Sequence, residues 1–576
     1  MSSPAAREVP KPALFWRIAL VLGLVCVLAP AATAQSLVSP HRVGRGLVVS
    51  QSRRASEVGA AILRQGGNAV DAAVATALAL AVTHPEAGNV GGGGFLVVWL
   101  GNGEATCFDF RERAPLTARP DMFLDDKGQY DHSRHHWSHV AVGVPGSVAG
   151  LHLAHQRHGR LPWRDLVEPA VRLAADGFPL SRGLAESLRE VLGAFKKYPA
   201  SLAQFSKDGR PYEEGDVLAQ PDLAGTLTRI REHGRDGFYR GKTADLLVEE
   251  MKRGGGLITH EDLKRYRAVE RVPIRGTYRS HEIVAMPPPS SGGVALIEML
   301  NILEGYDLRT LGLRSASEVH HVVEAMRRAF ADRARYLGDA DFVDVPVTRL
   351  TSKEYARGKR QSVPADRASR SSPELFDWPP ESEETTHLSV VDSKRMAVSL
   401  TTTLERGFGC RIVVPGAGFL LNNEMGDFNP KAGMTDARGA IGTPPNLVAP
   451  GKRMLSSMSP TIVTRGGKPV LVVGSPGGRT IINTVLEVVI NHLDHGLPVQ
   501  EAIDLPRFHH QWLPDAIVAE RHAFSPDTRA LLEAMGHRIT TALRPQGSAM
   551  GIAVLPGGFL EAGVDRRRPD AGVAGY

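Results

Sequence analysis

The chain has 576 residues, of which 42% are hydrophobic and 23% are charged, as in a globular protein with a large buried core. Its formal net charge is +6 and it contains no run of five basic residues, which argues against a nucleic-acid-binding protein. Three cysteines, at positions 26, 107 and 410, are too few to define a disulfide framework.

The first 34 residues have the layout of a secretory signal peptide. Three basic residues precede an apolar run over residues 18–29, and small residues offer a cleavage site after Ala34. An uncleaved membrane anchor is the alternative, but this run is shorter than the roughly 20 residues that span a bilayer. We therefore expect a periplasmic or secreted protein that begins at Gln35.

The first element predicted in the mature chain is a helix over residues 55–82. Alanine, valine and leucine dominate residues 69–82, so this part is apolar nearly all round and is expected to be buried. Four glycines at 91–94 then precede a predicted strand over residues 95–100, which indicates a close approach of the backbone to a neighbour. No Gly-Lys-Ser/Thr follows them, so a phosphate-binding loop is excluded.

Residues 145–340 are predicted to be mainly helical, with a proline-rich loop before an apolar helix that starts at Val294. The segment 132–139 holds four histidines, but no acid or cysteine at a fitting spacing accompanies them. We interpret it as a polar loop and expect neither a metal nor another cofactor. Residues 361–384 are polar and contain prolines, which predicts a solvated linker.

Strands are predicted after this linker. Residues 388–391 and 396–403 favour two strands around a turn at 392–395, and symmetric pairing about residue 394 places Thr403 opposite Thr385 to within one register step. Further on, a strand at 470–473, a glycine loop and a helix at 479–492 follow one another. This order is typical of a loop that directs backbone N–H groups at a negative charge.

The bond between Glu384 and Thr385, where the linker ends, is the predicted cleavage site of a precursor. An internal threonine is a poor nucleophile. An N-terminal threonine carries its own base, because its α-amine has a pKa of about 7.7–8.0 and accepts the hydroxyl proton. A polar linker before the bond also lets the freed end move away.

Seven motifs, taken in their order and spacing, are similar to those of a known family. They lie at residues 66–73, 109–112, 143–147, 385–392, 421–425, 455–460 and 474–478. Over nearly the whole mature chain they resemble the γ-glutamyltranspeptidase (glutathione hydrolase) family of N-terminal-nucleophile hydrolases. The resemblance implies an α+β fold, a four-layer αββα sandwich built from a large subunit, 35–384, and a small catalytic subunit, 385–576.

The resemblance also implies a reaction. Thr385 would attack the Glu384 carbonyl during self-cleavage, and later the γ-amide of glutathione or another γ-glutamyl compound. Water, an amino acid or a peptide would then accept the glutamyl group. Thr403 would support Thr385 by hydrogen bonding, and the N–H groups of Gly477 and Gly478 would stabilise the oxyanion.

The family's substrate contacts map onto five positions. Arg111, with Ser456 and Ser457 beside it, is similar to the family's clamp for the α-carboxylate, a group that the planar arginine fork binds with two hydrogen bonds. Glu424 and Asp427 are similar to the partners of the α-ammonium group.

Two positions depart from the family pattern. Glu405 stands where well-studied members have an asparagine near the α-amine. Arg438 stands where several members have an aromatic residue in a lid loop, here residues 431–453. These departures leave open the substrate preference and the balance between hydrolysis and transfer.

Two alternatives therefore stand beside the γ-glutamyl enzyme. One is an acylase on the same fold, such as a cephalosporin acylase, that acts on glutaryl or other amide side chains; a glutaryl group has no α-ammonium and would leave Glu424 and Asp427 unpaired. The other is an unprocessed, non-catalytic extracytoplasmic binding protein. The sequence also leaves open whether Cys107 and Cys410 form a disulfide.

Overall fold

The computed structural model describes residues 40–372, 384–434, 436–438 and 442–576. The chain separates into two units, Met1–His41 and Arg42–Tyr576. The predicted signal peptide lies outside the described residues, and the fold that follows is that of the second unit. Across the described ranges, no helix combines the length and the apolar character needed to cross a membrane.

Nineteen strands and nineteen α-helices are described, and short 3-10 helices occur at His139–Ala141, Glu424–Asp427 and Pro444–Asn446. The strands are β1 (Arg42–Val43), β2 (Leu47–Ser50), β3 (Gly93–Trp99), β4 (Ala105–Asp109), β5 (Phe178–Pro179), β6 (Val217–Leu218), β7 (Val269–Arg271), β8 (Ile274–Tyr278), β9 (His281–Ala285), β10 (Glu384–Val391), β11 (Ala397–Glu405), β12 (Thr461–Arg465), β13 (Lys468–Gly474), β14 (Phe508–His509), β15 (Ile517–Ala519), β16 (Ile539–Thr541), β17 (Met550–Val554), β18 (Leu560–Val564) and β19 (Gly572–Gly575). The helices are α1 (Arg53–Arg64), α2 (Ala69–Thr83), α3 (His132–His136), α4 (Ser147–His158), α5 (Trp163–Asp176), α6 (Arg182–Phe195), α7 (Pro199–Phe205), α8 (Pro221–His233), α9 (Asp236–Tyr239), α10 (Gly241–Gly254), α11 (His260–Arg265), α12 (Gly292–Leu303), α13 (Leu308–Leu311), α14 (Ala316–Tyr336), α15 (Val347–Leu350), α16 (Lys353–Gln361), α17 (Thr480–Leu493), α18 (Val499–Asp504) and α19 (Pro526–Ala534).

Two seven-stranded sheets form the centre of the fold. Sheet I has the order β19-β2-β10-β11-β3-β4-β7, and sheet II has the order β1-β18-β17-β13-β12-β9-β8. Their described strands pair antiparallel. The small sheets β14-β15-β16 and β5-β6 lie apart from them.

Alternation along the strands of sheet I divides the core into two. Leu388 and Val390 pack with α1, α2 and α5 in one hydrophobic core. Val391 points to the other face, into a second core that includes sheet II and the helices α12, α14 and α17. The layers therefore run helices, sheet I, sheet II, helices, and the predicted αββα sandwich is confirmed.

The helix predicted over residues 55–82 is two helices, which corrects that prediction. Gly66 takes a left-handed conformation (φ +92°) after α1, and Asn68 begins α2 with a capping box, in which its side chain accepts from the N–H groups of Val70 and Asp71. Every residue of α2 is buried, as its apolar composition predicted.

The region predicted to be mainly helical also contains the hairpin of β8 and β9, which adds two strands to sheet II. Arg279 and Ser280 form its two-residue loop, and both have positive φ (+47° and +64°). Such loops usually contain glycine or asparagine. Because these turn residues are missing, no local pattern predicts this hairpin.

The predicted solvated linker is only partly solvated. Its first residue, Gln361, is the last residue of α16, and the irregular segment that follows is held by the buried Glu324 and the partly exposed Asp515. Ser369 N–H donates to Glu324 (3.0 Å) and Ser371 N–H donates to Asp515 (2.8 Å). Residues 373–383 lie outside the described residues.

Cys107 and Cys410 are free thiols, and each is buried in a different core. Burial raises the pKa of both thiols, that of Cys410 to about 12. The two cysteines therefore form no disulfide and are poor nucleophiles.

The glycine run at 91–94 lets β3 start close to the end of β11. A Cβ atom on Gly92 would lie 2.1 Å from the carbonyl oxygen of Thr403, and one on Gly94 would lie 2.3 Å from that of Thr401. The close approach expected from the sequence is thus an approach to β11.

We expect Gly92→Ala to lower the free energy of unfolding by about 1–3 kcal/mol, because the added methyl group overpacks the β3–β11 contact. Thermal melting measures the effect. Gly193→Ala is the control: Gly193 is an exposed position of α6 with no atom within 4 Å of its added Cβ, and we expect it to be neutral or slightly stabilising. Equal melting of Gly92→Ala and the wild type would contradict this account.

Candidate active site

The hairpin of β10 and β11 positions the predicted nucleophile. The regular ladder begins where Val391 pairs with Ala397 and ends where Thr386 pairs with Thr402. Beyond it Glu384 lies opposite Glu405, so the register shifts at Thr385. Such a bulge bends the strand and re-aims a side chain. The regular part is symmetric about residue 394 and agrees with the predicted pairing, in which Thr403 comes opposite Thr385.

A cavity with an empty volume of about 270 Å³ adjoins Thr385. It is lined by Arg111, Thr385, Thr403, Glu405, Glu424, Asp427, Ser456, Ser457, Met458, Gly478 and Ile481. The structure thus brings together nine of the ten residues that the sequence predicted for catalysis and substrate binding. Gly477 is the tenth; it lies beside Gly478 in the chain and does not contribute to the described lining. Met458 and Ile481 add apolar surface that the sequence did not predict.

Asn89 fixes the end of β11 beside the nucleophile. Its side-chain amide donates to the carbonyl oxygen of Thr403 (2.8 Å), while its carbonyl oxygen accepts from Gly92 N–H (2.9 Å) and from the Ser147 hydroxyl (2.6 Å). The Thr403 hydroxyl in turn accepts from the Glu405 N–H (2.8 Å). Hydrogen bonds therefore hold both the backbone carbonyl and the side-chain hydroxyl of Thr403.

The loop between β13 and α17 needs glycine for its conformation. Gly477 and Gly478 have φ values of +130° and +55°. A Cβ atom on Gly477 would lie 2.6 Å from the Thr480 hydroxyl and 2.9 Å from the backbone of Gly547. The 14-residue helix α17 begins at Thr480, so its N-terminal end lies next to the cavity and favours negative charge there.

Arg111 is completely buried and makes contacts along its whole guanidinium fork. Its two terminal nitrogens pair with Glu424 and Asp427. Nε donates to the carbonyl oxygen of Met454 (3.3 Å), and one terminal nitrogen donates to that of Leu455 (3.2 Å). The residue predicted to bind a carboxylate and the residues predicted to bind an ammonium group thus pair with one another.

The charged groups in this cluster shift one another's pKa values. Burial and the nearby carboxylates raise the pKa of Glu424, although Arg111 opposes the shift. Burial also raises the pKa of Glu112, which lies 3.5 Å from Arg111, to about 8. For Arg111 itself, burial acts to lower the pKa, but the three carboxylates around it more than offset that and raise it. Arg111 therefore stays charged.

The two serines are held from the other side by the large half of the chain. Ser456 forms a parallel bridge with Ser290 in the proline-rich loop, and Arg333 of α14 donates to the hydroxyl of Ser457 (3.0 Å). Arg333 is buried. Sequence patterns gave no signal for its role, because it is one of many arginines on an amphipathic helix.

The histidine-rich segment is not the polar loop that the sequence predicted. Residues 132–136 form helix α3, in which His135 and His136 are buried. The His136 ring lies 3.2 Å from the carboxylate of Glu405, which lines the cavity. Arg438, by contrast, is exposed and pairs with Asp436 (3.0 Å); residues 435 and 439–441 of the predicted lid lie outside the described residues.

A second cluster of possible metal ligands lies away from the cavity. His320, Glu324 and His537 bring ligand atoms within 4.8 Å of one another. His320 contacts His537 (2.9 Å) and the carbonyl oxygen of Pro364 (2.7 Å), and Glu324 binds Arg328. The arginine beside Glu324 disfavours a cation, so these groups are better described as a hydrogen-bond network.

Comparison with known proteins gives a consistent result. The family model described as Gamma-glutamyltranspeptidase matches residues 55–575. The chain is 47% identical to the glutathione hydrolase proenzyme of Escherichia coli (strain K12), over 98% of this chain and all of that protein. It is 36% identical to the acylase ACY 1 proenzyme of Pseudomonas sp. (strain SE83), over 90% and 92% of the two chains. Among solved structures, the cephalosporin acylase from Bacillus halodurans superposes with a TM-score of 0.82 at 27% identity, over 95% of this chain and 99% of that one.

Proposed function

The chain belongs to the gamma-glutamyltranspeptidase family, and we propose that it is a self-processing enzyme that hydrolyses γ-glutamyl amides such as glutathione and transfers the γ-glutamyl group. One observation carries the proposal. Thr385 is the first residue after the predicted cleavage bond. It faces a cavity that combines one buried arginine with three carboxylates. That set of charges matches a ligand with one carboxylate and one ammonium group.

Self-cleavage is the first proposed step. The Thr385 hydroxyl oxygen attacks the carbonyl carbon of Glu384, the C–N bond breaks, and the nitrogen takes up a proton to become the α-amine of Thr385. Water then opens the ester between them. The products are a large subunit, residues 35–384, and a small subunit, residues 385–576, which remain one composite fold because β10 pairs with β2 and β11 with β3.

Turnover uses the same hydroxyl group. The new α-amine accepts its proton while the oxygen attacks the γ-carbonyl carbon of the substrate. The N–H groups of Gly477 and Gly478 stabilise the oxyanion, and the loss of one such donor typically costs about 10²–10³ in rate. The amine leaves with a proton, and a γ-glutamyl ester on Thr385 remains. Water releases glutamate from it, or an amino acid or peptide accepts the group.

Substrate recognition is an exchange of ion-pair partners. Arg111, Ser456 and Ser457 bind the α-carboxylate, and the carboxylates of Glu424 and Asp427 bind the α-ammonium group. In the structure these opposite charges contact each other. A zwitterionic ligand brings one charge of each sign, so no group is left buried without a partner.

The predicted signal peptide supports a periplasmic or secreted location, where peptides and amino acids reach the cavity as acceptors. Processing after Ala34 belongs to this proposal.

An acylase is the second candidate, because the chain is similar to the two acylases over at least nine-tenths of its length. The cavity argues against it. A glutaryl group carries no α-ammonium, so it would bring only a negative charge to a cavity that three acidic side chains, Glu405, Glu424 and Asp427, already line. Burying a further carboxylate there without a new cation is costly.

We expect Thr385→Ala to abolish both self-cleavage and activity, because it removes the attacking oxygen. Denaturing electrophoresis should show the wild type as fragments of 350 and 192 residues, counted from 35–384 and 385–576, and the variant as one band. Thr386→Val is the matched control, since the Thr386 hydroxyl has no hydrogen-bond partner among the described residues; it should still be cleaved. A single wild-type band without an N-terminal threonine would refute the proposal.

We expect the wild type to cleave a γ-glutamyl anilide faster than a glutaryl anilide. The α-ammonium group contributes a charged hydrogen bond, which is worth about 1.5–3 kcal/mol or a factor of about 10–100 in kcat/KM. Initial rates of anilide release measure the ratio. Faster cleavage of the glutaryl compound would favour the acylase instead.

Arg111→Lys should raise the KM for the γ-glutamyl anilide at least about tenfold, because a single ammonium group cannot form the two-pronged contact with a carboxylate. The exposed Arg119 offers a control on the same segment, and Arg119→Lys should keep the wild-type KM. A wild-type KM for Arg111→Lys would remove the residue from the binding site.

A further inference from the structure

His136 contacts Glu405, which lines the cavity, and lies on a segment that the reaction itself does not use. We propose that it is a positioning residue, which holds the Glu405 carboxylate toward the substrate's α-ammonium group and so sets the preference of the cavity for γ-glutamyl over glutaryl compounds. The inference rests on the proposed function and adds a determinant from α3, which is 269 residues away from Glu405 in the chain.

Glu405 reaches the cavity through an unusual backbone conformation. It is the last residue of β11, and its φ of +79° lies in the left-handed region that residues other than glycine avoid. Its N–H group donates to the hydroxyl of Thr403, and its side chain lines the cavity with Thr385. A strained, buried carboxylate next to the nucleophile is a feature that its surroundings must hold in place.

The His136 ring provides that support. Its Nδ1 atom lies 3.2 Å from Glu405 Oε1. The backbone of His136 is held by the Asn423 side chain, which donates to its carbonyl oxygen (2.9 Å). Gly426 closes the site, since a Cβ atom there would lie 2.4 Å from His136 Nδ1 and 3.0 Å from Glu405 Oε1. The ring and the carboxylate therefore have little freedom to move.

The imidazole orients the carboxylate without neutralising it. Burial, assisted by the positive charge of Arg406 and by His132, lowers the pKa of His136 to about 3. A neutral ring donates one N–H to Glu405 and adds no positive charge. Arg406 Nε lies 3.6 Å from Glu405 Oε1, and the Arg406 guanidinium packs against the ring of Trp137.

Three carboxylates line the cavity, and their partners differ. Glu424 and Asp427 pair with Arg111, whereas Glu405 contacts His136 and Arg406. Glu405 therefore differs from the other two carboxylates in the groups that it is shown to contact. A γ-glutamyl group supplies an ammonium for it, and a glutaryl group supplies none.

The test compares γ-glutamyl and glutaryl anilides on self-cleaved protein. We expect His136→Leu to raise the KM for the γ-glutamyl anilide about tenfold, to change kcat much less, and to leave glutaryl cleavage unchanged. His136→Asn should restore the wild-type ratio, because its amide N–H takes the place of Nδ1–H. His233→Leu, the same substitution at an exposed histidine of α8 outside the cavity lining, is the matched control and should keep that ratio.

A double-mutant cycle separates positioning from general damage. Glu405→Gln alone should lower the γ-glutamyl preference, and His136→Leu added to it should cause no further loss, because the two residues act through one contact. Additive losses, or an unchanged ratio in His136→Leu, would overturn the inference. If His136→Leu does not self-cleave, His136→Gln replaces it in the cycle. The glutamine side chain is one carbon longer than that of asparagine, so its amide does not take the place of Nδ1–H beside Glu405.

The outcomes also distinguish this inference from the proposed function. A wild type that prefers the glutaryl anilide contradicts the proposed function. A wild type that prefers the γ-glutamyl anilide, together with a His136→Leu variant of equal preference, contradicts only the role of His136.

Discussion

The antiparallel pairing of β10 with β11 is the interaction on which the rest of the site depends. Both strands lie inside sheet I, between β2 and β3, and β11 is buried along its whole length. A slip of one residue would exchange the two faces of a strand, so packing on both sides fixes the register. The irregularity falls at Thr385, where the regular ladder ends. The geometry of the nucleophile is thus a property of a whole sheet.

A buried network of charges is the second constraint. Arg111 is held by carboxylates and by backbone carbonyl groups. Removing one partner from such a pair typically costs about 3–5 kcal/mol, so the charges keep each other in place. A ligand with both charges exchanges partners within the network, whereas a ligand with only one charge leaves a group unpaired. In the proposed function, the same pairing holds the side chains of the cavity in place and discriminates between ligands.

Local patterns predicted much of this arrangement. Alternating residues around a polar turn gave the β10–β11 hairpin and its register, and the composition of residues 69–82 gave a buried helix. Patterns failed where a residue carried no local signal. Arg279 and Ser280 form the turn of a hairpin without glycine or asparagine. The histidine-rich sequence of α3 predicts a polar loop, because the contact of His136 with the distant Glu405 is visible only in the folded chain.

The sequence by itself indicated the proposed nucleophile and the bond before it through residue identity and short spacings, and the resemblance of its motifs to a known family indicated the charged groups around them. The tertiary structure alone decided which groups meet. Arg111 pairs with Glu424 and Asp427, Asn89 holds the end of β11, and His136 supports Glu405. These contacts join residues hundreds of positions apart. They depend on how two sheets and their helices pack, which no local pattern records.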